Sequence, residues 1–425
     1  MADAPKVDRL SFARVRSANT RADQTTVRRA NLGVVLQHVA RQGPRSRARI
    51  AAETGLTRGT VSSLVAELID LELLRETGED ERPGGVGRPA QTLELHDRVV
   101  AIGLEVNVDY LAVCTEDLAG HVRFERRVCA DNWRSSPGPV LDRLAGLASE
   151  AIEDAANRDL VVAGLAVALP GLTEAGTGAL LRAPNLGWSD VAVADELRSR
   201  IGPFPVSVEN EANLAALAEQ WLGAGRDVRS FICVFGEVGV GAGIVIDGEL
   251  FRGAHGFGGE FGHMTVDRDG AVCACGSRGC LETLVGQEAI ARRAGVARAT
   301  GGRTRSVTEE LVRRAEQGDK VVLHSLAEAG TSLGIGLASA VNLLDVDAVV
   351  LGGCFGPLAP WLHDNVAATL DTRVLSARWT RCEVRASPLG EGAAVRGAAA
   401  LTLRGVLAAP WLVGGRRLSL QEAVV

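Results

Sequence analysis

Between Glu260 and Glu282 the chain reads Glu-Phe-Gly-His-Met-Thr-Val-Asp-Arg-Asp-Gly-Ala-Val-Cys-Ala-Cys-Gly-Ser-Arg-Gly-Cys-Leu-Glu. His263, Cys273, Cys275 and Cys280 thus fall within one short segment, and these residue types hold a borderline metal such as zinc. Three thiolates and one imidazole complete a tetrahedral shell, which argues for a structural Zn2+ with no open position for chemistry. Gly276 and Gly279 suit the tight turns that such closely spaced cysteines demand. A cluster of free thiols and a redox switch are the alternatives; the second is weakened by the lack of a Cys-x-x-Cys pair.

With 425 residues the chain is too long for one ordinary core, so two or three domains are expected. Aromatic residues make up only 4% against 46% hydrophobic, so Ala, Val and Leu must build the interior. Charge is unevenly spread. Residues 1–58 carry 12 Lys and Arg against 4 acids, an excess of +8 that leaves −14 on the remainder of a chain of net charge −6. A basic head on an acidic body indicates that the head alone meets a polyanion. The most apolar long run, 333–353, is broken by Asn342, Asp345 and Asp347, which argues against a membrane span. No apolar segment follows Lys6 and Arg9 as a signal peptide would require. A cytoplasmic protein is expected, associated with the nucleoid when bound to DNA. Cys114, Cys129, Cys233, Cys354 and Cys382 read as buried, reduced thiols.

Residues 1–27 show no apolar period and read as a flexible basic arm. Residues 28–97 read as a winged helix-turn-helix. Leu32, Val35, Leu36 and Val39 line one face of a helix that Gly43-Pro44 ends, and two shorter helical patterns beginning at Arg47 meet at Gly55-Leu56. Thr57 suits the N-cap of the second, with Val61, Leu64, Val65 and Leu68 as its buried stripe. Arg58, Gly59, Thr60 and Ser63 then face outward, as a helix entering a major groove requires. Glycines 84, 85 and 87, ahead of Arg88-Pro89, resemble a wing whose Arg88 reaches a minor groove. Candidate contacts to a double-stranded DNA operator are therefore Arg47, Thr57, Arg58, Gly59, Thr60, Ser63 and Arg88. A small helical interaction module with a solvated basic face is the alternative.

Strand and helix signals alternate in the remainder, 98–425. Val99–Val106 and Val122–Val128 read as strands of a hairpin region, and 140–157, 211–222, 321–344 and 392–407 read as helices. Strands are expected at 160–169, 206–209, 231–235, 242–246 and 347–351. This order is α/β, in two lobes with a cleft between them.

Gly258-Gly-Glu-Phe-Gly-His263 followed by Cys273-Ala-Cys-Gly-Ser-Arg-Gly-Cys-Leu-Glu282 resembles the signature of the ROK family, which unites bacterial sugar kinases with sugar-responsive repressors. Val208-Glu-Asn-Glu-Ala-Asn213, Ala183-Pro-Asn-Leu186 and Leu351-Gly-Gly353 extend the similarity, over about residues 98–408. The resemblance implies a two-lobed actin-like, ribonuclease H-like body behind the winged helix-turn-helix. It implies a sugar or phosphosugar held by Asn185, Asn210, Glu211, Glu260, His263 and Glu282, with the zinc loop at 263–280. Carboxylates accept hydrogen bonds from vicinal hydroxyls, and a His oriented by metal on one nitrogen can donate from the other. Ordinary surface charge is the alternative for Glu260 and Glu282. A homodimer or homotetramer is expected from the resemblance and from operator symmetry.

The resemblance implies that kinases of this family need an Asp-x-Gly-Gly-Thr near the start of the body, a later Gly-Thr-Gly loop and a general-base Asp, and this chain departs from each. At the first position stands Leu104-Glu-Val-Asn-Val-Asp109, and the second loop reads Glu237-Val-Gly-Val-Gly-Ala-Gly243, which puts a carboxylate where phosphates would sit. Glu211 replaces the general-base Asp, and one extra methylene displaces the carboxylate by about an ångström. The expectation is a sugar-responsive transcriptional regulator, in the sense of a repressor, without phosphoryl transfer. The alternative is a bifunctional sugar kinase carrying a DNA-binding head.

Overall fold

The computed structural model describes residues 24–77, 91–174, 176–296 and 307–413. In the head, α1 (Gln24–Gln42), β1 (Arg45–Ser46), α2 (Arg47–Thr54), α3 (Arg58–Asp70), β2 (Leu74–Thr77) and β3 (Thr92–Leu95) follow in order. The three short strands form an antiparallel sheet, β1-β3-β2. Helix α1 begins at Gln24, inside the segment expected to be an arm, because its polar first turn is exposed and carries no apolar signal. Ser46 caps α2, Gly55 ends it at φ +75, and Thr57 caps α3 by accepting the Thr60 N–H at 3.2 Å. Both apolar stripes, Leu32/Val35/Leu36/Val39 and Val61/Leu64/Val65/Leu68, are buried to 1% exposure or less. The wing apex and Arg88 lie outside the described residues.

The first lobe contains β4 (Val99–Val106), β5 (Tyr110–Asp117), β6 (Val122–Cys129), α4 (Pro137–Asn157), β7 (Val161–Leu169), β8 (Leu172–Glu174), β9 (Ala179–Ala183), β10 (Trp188–Val191), α5 (Val193–Ile201), β11 (Val206–Asn210) and α6 (Glu211–Leu222). The second contains β12 (Phe231–Gly236), β13 (Val240–Ile246), β14 (Glu249–Leu250), α7 (Glu282–Val285), α8 (Gln287–Arg293), α9 (Val307–Glu316), α10 (Lys320–Leu344), β15 (Ala348–Gly353), α11 (Phe355–Arg373), β16 (Glu383–Ala386) and α12 (Ala393–Ala408). The sheet orders are β6-β5-β4-β7-β11 and β14-β13-β12-β15-β16. In each, three strands run antiparallel and two more join parallel to the first. One ribonuclease H-like unit is therefore built twice, which is the actin-like, two-lobed arrangement. Strand β5 lies between the two segments expected to form a hairpin; every residue in it is buried, so it lacks the alternation by which a half-exposed strand is recognised.

The lobes meet through exchanged helices. Helix α6 leaves the first lobe to pack on β12 and β13, while α12 leaves the second to pack on β4, β5 and β7. Between the sheets the core is small-residue rich, with Ala166, Ala168, Ala212, Ala215, Ala216, Ala394 and Ala398. Close approach is obligatory here: a Cβ on Gly397 would stand 1.9 Å from the Leu214 carbonyl oxygen, and one on Gly103 1.9 Å from that of Val395.

Head and body share one apolar cluster, in which Leu32, Val35, Leu36 and Leu93 join Ala399, Leu403 and Val406 of α12. Gly33 lets α1 lie on the C-terminal end of α12, where a Cβ would meet the Ala408 oxygen at 2.7 Å. A polar chain crosses the same junction from Arg75 to Asp97 (3.2 Å), Asp97 to Arg123 (3.1 Å) and Arg123 to Asp117 (2.5 Å).

Helix α10 is, among the described residues, the one helix long and apolar enough to cross a membrane, and 56% of its apolar window is buried, with α11 packed along it. All 8 cysteines are free thiols. Cys129 and Cys382 depart from the expected burial: Cys129 ends the edge strand β6, whose outer face is open, and Cys382, just before the edge strand β16, is half-buried.

Candidate ligand cleft, metal centre and nucleic-acid face

The segment 260–282 folds back on itself as the short spacing requires. Thr265 bridges to Cys280 and Val272 to Arg278, Gly276 (φ +96) and Gly279 (φ +71) make the turns, and a Cβ on Gly279 would stand 1.6 Å from the Asp267 oxygen. The ligand atoms of His263, Cys273, Cys275 and Cys280 all lie within 4.8 Å of one another. Zinc–sulfur bonds of about 2.3 Å at tetrahedral angles set ligand–ligand edges of about 3.8 Å. Cys275 Sγ and Cys280 Sγ are 3.8 Å apart, and Cys273 Sγ is 3.7 Å from His263 Nδ1. Donor set and spacing both fit a closed tetrahedral ion.

The other face of the same ring looks elsewhere. His263 Nε2 is 3.8 Å from Glu260 Oε2. Glu282, the first residue of α7, accepts the Val240 N–H at 3.1 Å through Oε2, while its Oε1 is 3.6 Å from Cys273 Sγ. The metal segment is thereby tied to the β12–β13 hairpin. Gly239 in that hairpin is flanked by Glu282 Oε2 and Asn185 Nδ2, at 2.9 and 3.3 Å from where its Cβ would be. Asn185 reaches this point from the loop between β9 and β10.

Asn210 is already engaged. As the N-cap of α6 its Oδ1 accepts from Ala212 N (2.8 Å) and Asn213 N (3.3 Å), and its Nδ2 donates to the Gly171 oxygen (3.0 Å). That leaves the second Nδ2 hydrogen for a ligand. Glu211 follows at the first turn of α6, with Oε2 buried and without a partner. Burial pushes its carboxyl up to about 8, and the charges of Glu105 and Glu282 add to the rise. The structure therefore groups Asn185, Glu260, His263 and Glu282 around the β12–β13 hairpin and the Cys–His segment, and the charge of Glu282 acts on Glu211, the residue after Asn210.

Beyond Glu211 lies what the sequence reading did not assemble. Glu105 in β4 is fully buried; Tyr110 Oη–H donates to its Oε1 at 2.7 Å, and the Val395 N–H in the first turn of α12 also favours its charged form. Burial raises this carboxyl to about 7, held back by the Tyr110 hydrogen bond and by Arg127. Glu237, in the β12–β13 turn, is buried with Oε1 unpartnered, and burial, Glu391 and Glu105 push it well above the carboxylate range. Arg127 from β6 lies 3.5 Å over the Tyr110 ring and pairs with Glu391 Oε2 at 2.6 Å, bridging the lobes. The turn from β4 to β5 contains no glycine, and its Val108 is 2% exposed.

On the head, Arg58, Gly59 and Ser63 are exposed at the N-terminal half of α3. Arg58 makes no side-chain hydrogen bond or ion pair among the described residues. Four of the candidates are occupied. Arg47 pairs with Glu76 of β2 at 2.5 Å, the Thr57 and Thr60 hydroxyls share a 2.9 Å hydrogen bond, and Ser63 Oγ accepts from Arg28 of α1 at 3.1 Å. Arg28 also pairs with Glu67 at 2.6 Å, so α1 grips the recognition helix; no signal in the sequence pairs these residues across 35 positions.

The profile of the ROK family matches residues 101–404, and that of the MarR family matches residues 34–83. A putative xylose repressor of Caldicellulosiruptor sp. (strain Rt8B.4) is 32% identical over 394 residues, which cover 90% of this chain and 98% of that one. The crystal structure of a ROK family transcriptional regulator, described as a homologue of the Escherichia coli MLC protein, superposes with a TM-score of 0.75 at 26% identity, covering 94% of this chain and 99% of that one. A ROK family glucokinase from Streptomyces griseus, solved with glucose and AMPPNP, is 28% identical with a TM-score of 0.61, but covers 71% of this chain and 98% of its own. The regulators match head and body together, whereas this kinase matches a stretch of body length. This chain belongs to the ROK family, as a winged helix-turn-helix followed by an actin-like body.

Proposed function

We propose that the protein is a sugar-responsive transcriptional repressor that binds operator DNA through α3 and the wing and senses a sugar in the interlobe cleft, without phosphoryl transfer. The observation that carries this reading is the set of buried carboxyls of Glu105, Glu211 and Glu237, with oxygens of the last two unpartnered, in the half of the cleft where a kinase would hold phosphates. Carboxyls there offer a phosphate neither a cation nor a cradle of backbone N–H groups, while Glu260, His263 and Glu282 keep the donors and acceptors a sugar needs. Asn185 and the remaining Asn210 N–H complete that set.

Zn2+ at His263, Cys273, Cys275 and Cys280 acts as a brace. It would fix the ring so that Nε2 points to the cleft, and a closed shell leaves it no substrate. Helix α12 supplies a route from cleft to head. It starts next to Glu391 and ends against α1 at Ala408, so a change in lobe angle moves the winged helix. In a homodimer or homotetramer such movement alters the spacing of two heads on an operator. Assaying ATP-dependent phosphorylation over a panel of aldoses tests the reading. No turnover is expected; turnover that Glu211→Ala abolishes would establish the kinase alternative.

A further inference from the structure

Arg28, near the start of α1, reaches across to α3 and commits most of its N–H groups to two side chains there. Nε and Nη2 donate to Glu67 Oε2 at 3.0 and 2.6 Å, and Nη1 and Nη2 both donate to Ser63 Oγ at 3.1 Å. Gly59, Ser63 and Glu67 follow one another at spacings of one turn, so they share one side of α3. Ser63 and Gly59 are exposed on that side, and Glu67 is half-buried beneath the guanidinium.

A serine hydroxyl has two lone pairs and one proton. The two N–H groups of Arg28 take the lone pairs, and the proton meets no acceptor among the described residues. What remains to Ser63 is donation. A duplex offers acceptors in its phosphate oxygens and, in the major groove, at N7 and O6 of guanine, N7 of adenine and O4 of thymine; the amino groups of adenine and cytosine would find no lone pair free. Glu67 adds a second consequence. A bare carboxylate one turn from Ser63 would be repelled by phosphates, and Arg28 turns it into a pair without net charge.

We propose that Arg28 is a positioning residue of the DNA face: it fixes Ser63 as a hydrogen-bond donor, so that this point of α3 takes an acceptor of the duplex, and it masks Glu67 from the phosphates. The inference rests on the reading of α3 as the recognition helix and adds to it the chemistry that one of its side chains can read.

Anisotropy titrations of the full chain against duplexes that the parent retains from a random-sequence pool test it, with folding of each variant checked by its thermal midpoint. Ser63→Ala is expected to weaken binding about three- to tenfold, the weight of one hydrogen bond. A loss equal on every duplex identifies a phosphate oxygen as the acceptor, and a loss confined to one base pair identifies a base edge. Arg28→Met is expected to cost at least about tenfold. Adding Glu67→Gln, which restores the net charge, should bring that loss back to the Ser63→Ala level at an unchanged salt slope, and Ser63→Ala should then cost less than about twofold more. Arg28→Lys, which keeps the charge without the fork, should also fall to the Ser63→Ala level. If the Arg28→Met/Glu67→Gln chain binds as tightly as the parent or more tightly, Arg28 competes with DNA for Ser63; if its salt slope is lower by about one, Arg28 holds a phosphate itself. Either result overturns the assignment, as does an equal cost of Ser63→Ala with and without Arg28. A parent that retains no duplex overturns the recognition-helix reading as well.

Discussion

His263 presents Nδ1 to Cys273 Sγ at 3.7 Å and Nε2 to Glu260 Oε2 at 3.8 Å. One imidazole therefore faces the Cys–His cluster on one side and Glu260 on the other. Cys275→Ser, which opens the set without touching the cleft, is expected to lower bound zinc below one per chain. It should also weaken sugar binding by about tenfold or more, the usual weight of an orienting contact. DNA binding in the absence of sugar should change far less. Elemental analysis, calorimetry and a mobility-shift titration read the three quantities; equal losses in sugar and DNA affinity would contradict the division of roles.

The raised carboxyl of Glu211 makes stability depend on pH with a defined sign. Between the unfolded value of 4.5 and the folded value of about 8, the folded chain keeps a proton that the unfolded chain has released. Stability is therefore greatest at the acid end of this window and is lost as pH rises through it, by on the order of 1 kcal/mol per unit. Glu211→Gln removes this contribution. Its thermal midpoint should exceed the parent's by several degrees at pH 8 and converge with it near pH 5. Parallel curves across that range would show that the carboxyl is not desolvated as the structure has it.

Gly33 meets backbone, which cannot swing aside. Gly33→Val places a Cβ 2.7 Å from the Ala408 oxygen, so α1 must lift from α12 at a cost of about 1–3 kcal/mol. Hydrogen exchange should quicken in α1 and at the end of α12, and the sugar response should shrink while operator binding persists. Unchanged exchange with an intact response would separate this contact from signalling.

On the DNA face the ion pairs rank the candidates. Arg58 has no partner among the described residues, whereas Arg47 is paired with Glu76. Arg58→Ala is expected to cost about 1–3 kcal/mol of operator affinity, and Arg47→Ala distinctly less. Anisotropy titrations at fixed salt decide the order, and the reverse ranking would move the protein–DNA contact off the start of α3.

Features local in sequence were the ones that could be read. The helix-turn-helix follows from its caps and stripes, and the Cys–His set lies within 18 consecutive residues, 263–280. What spacing could not reveal was assembled by topology. Glu105, Glu211 and Glu237 come from β4, α6 and the β12–β13 turn, positions that no local pattern relates. Helix α11 escaped because Pro357 and Pro360 mask its rhythm, although it runs through Pro360. Asn210 matched a ligand motif, yet most of its hydrogen-bonding capacity is spent capping α6. Ser63 showed the same limit, since a helix face predicts exposure but not capture by Arg28.

In the proposed function, a sugar in the cleft changes DNA occupancy. Operator affinity of the full chain, measured by fluorescence anisotropy with and without a sugar that raises its thermal midpoint, tests this most directly. A change in Kd of at least about tenfold, within the usual range of coupling energies, is the predicted result. The same Kd in the presence of every sugar that binds would contradict it.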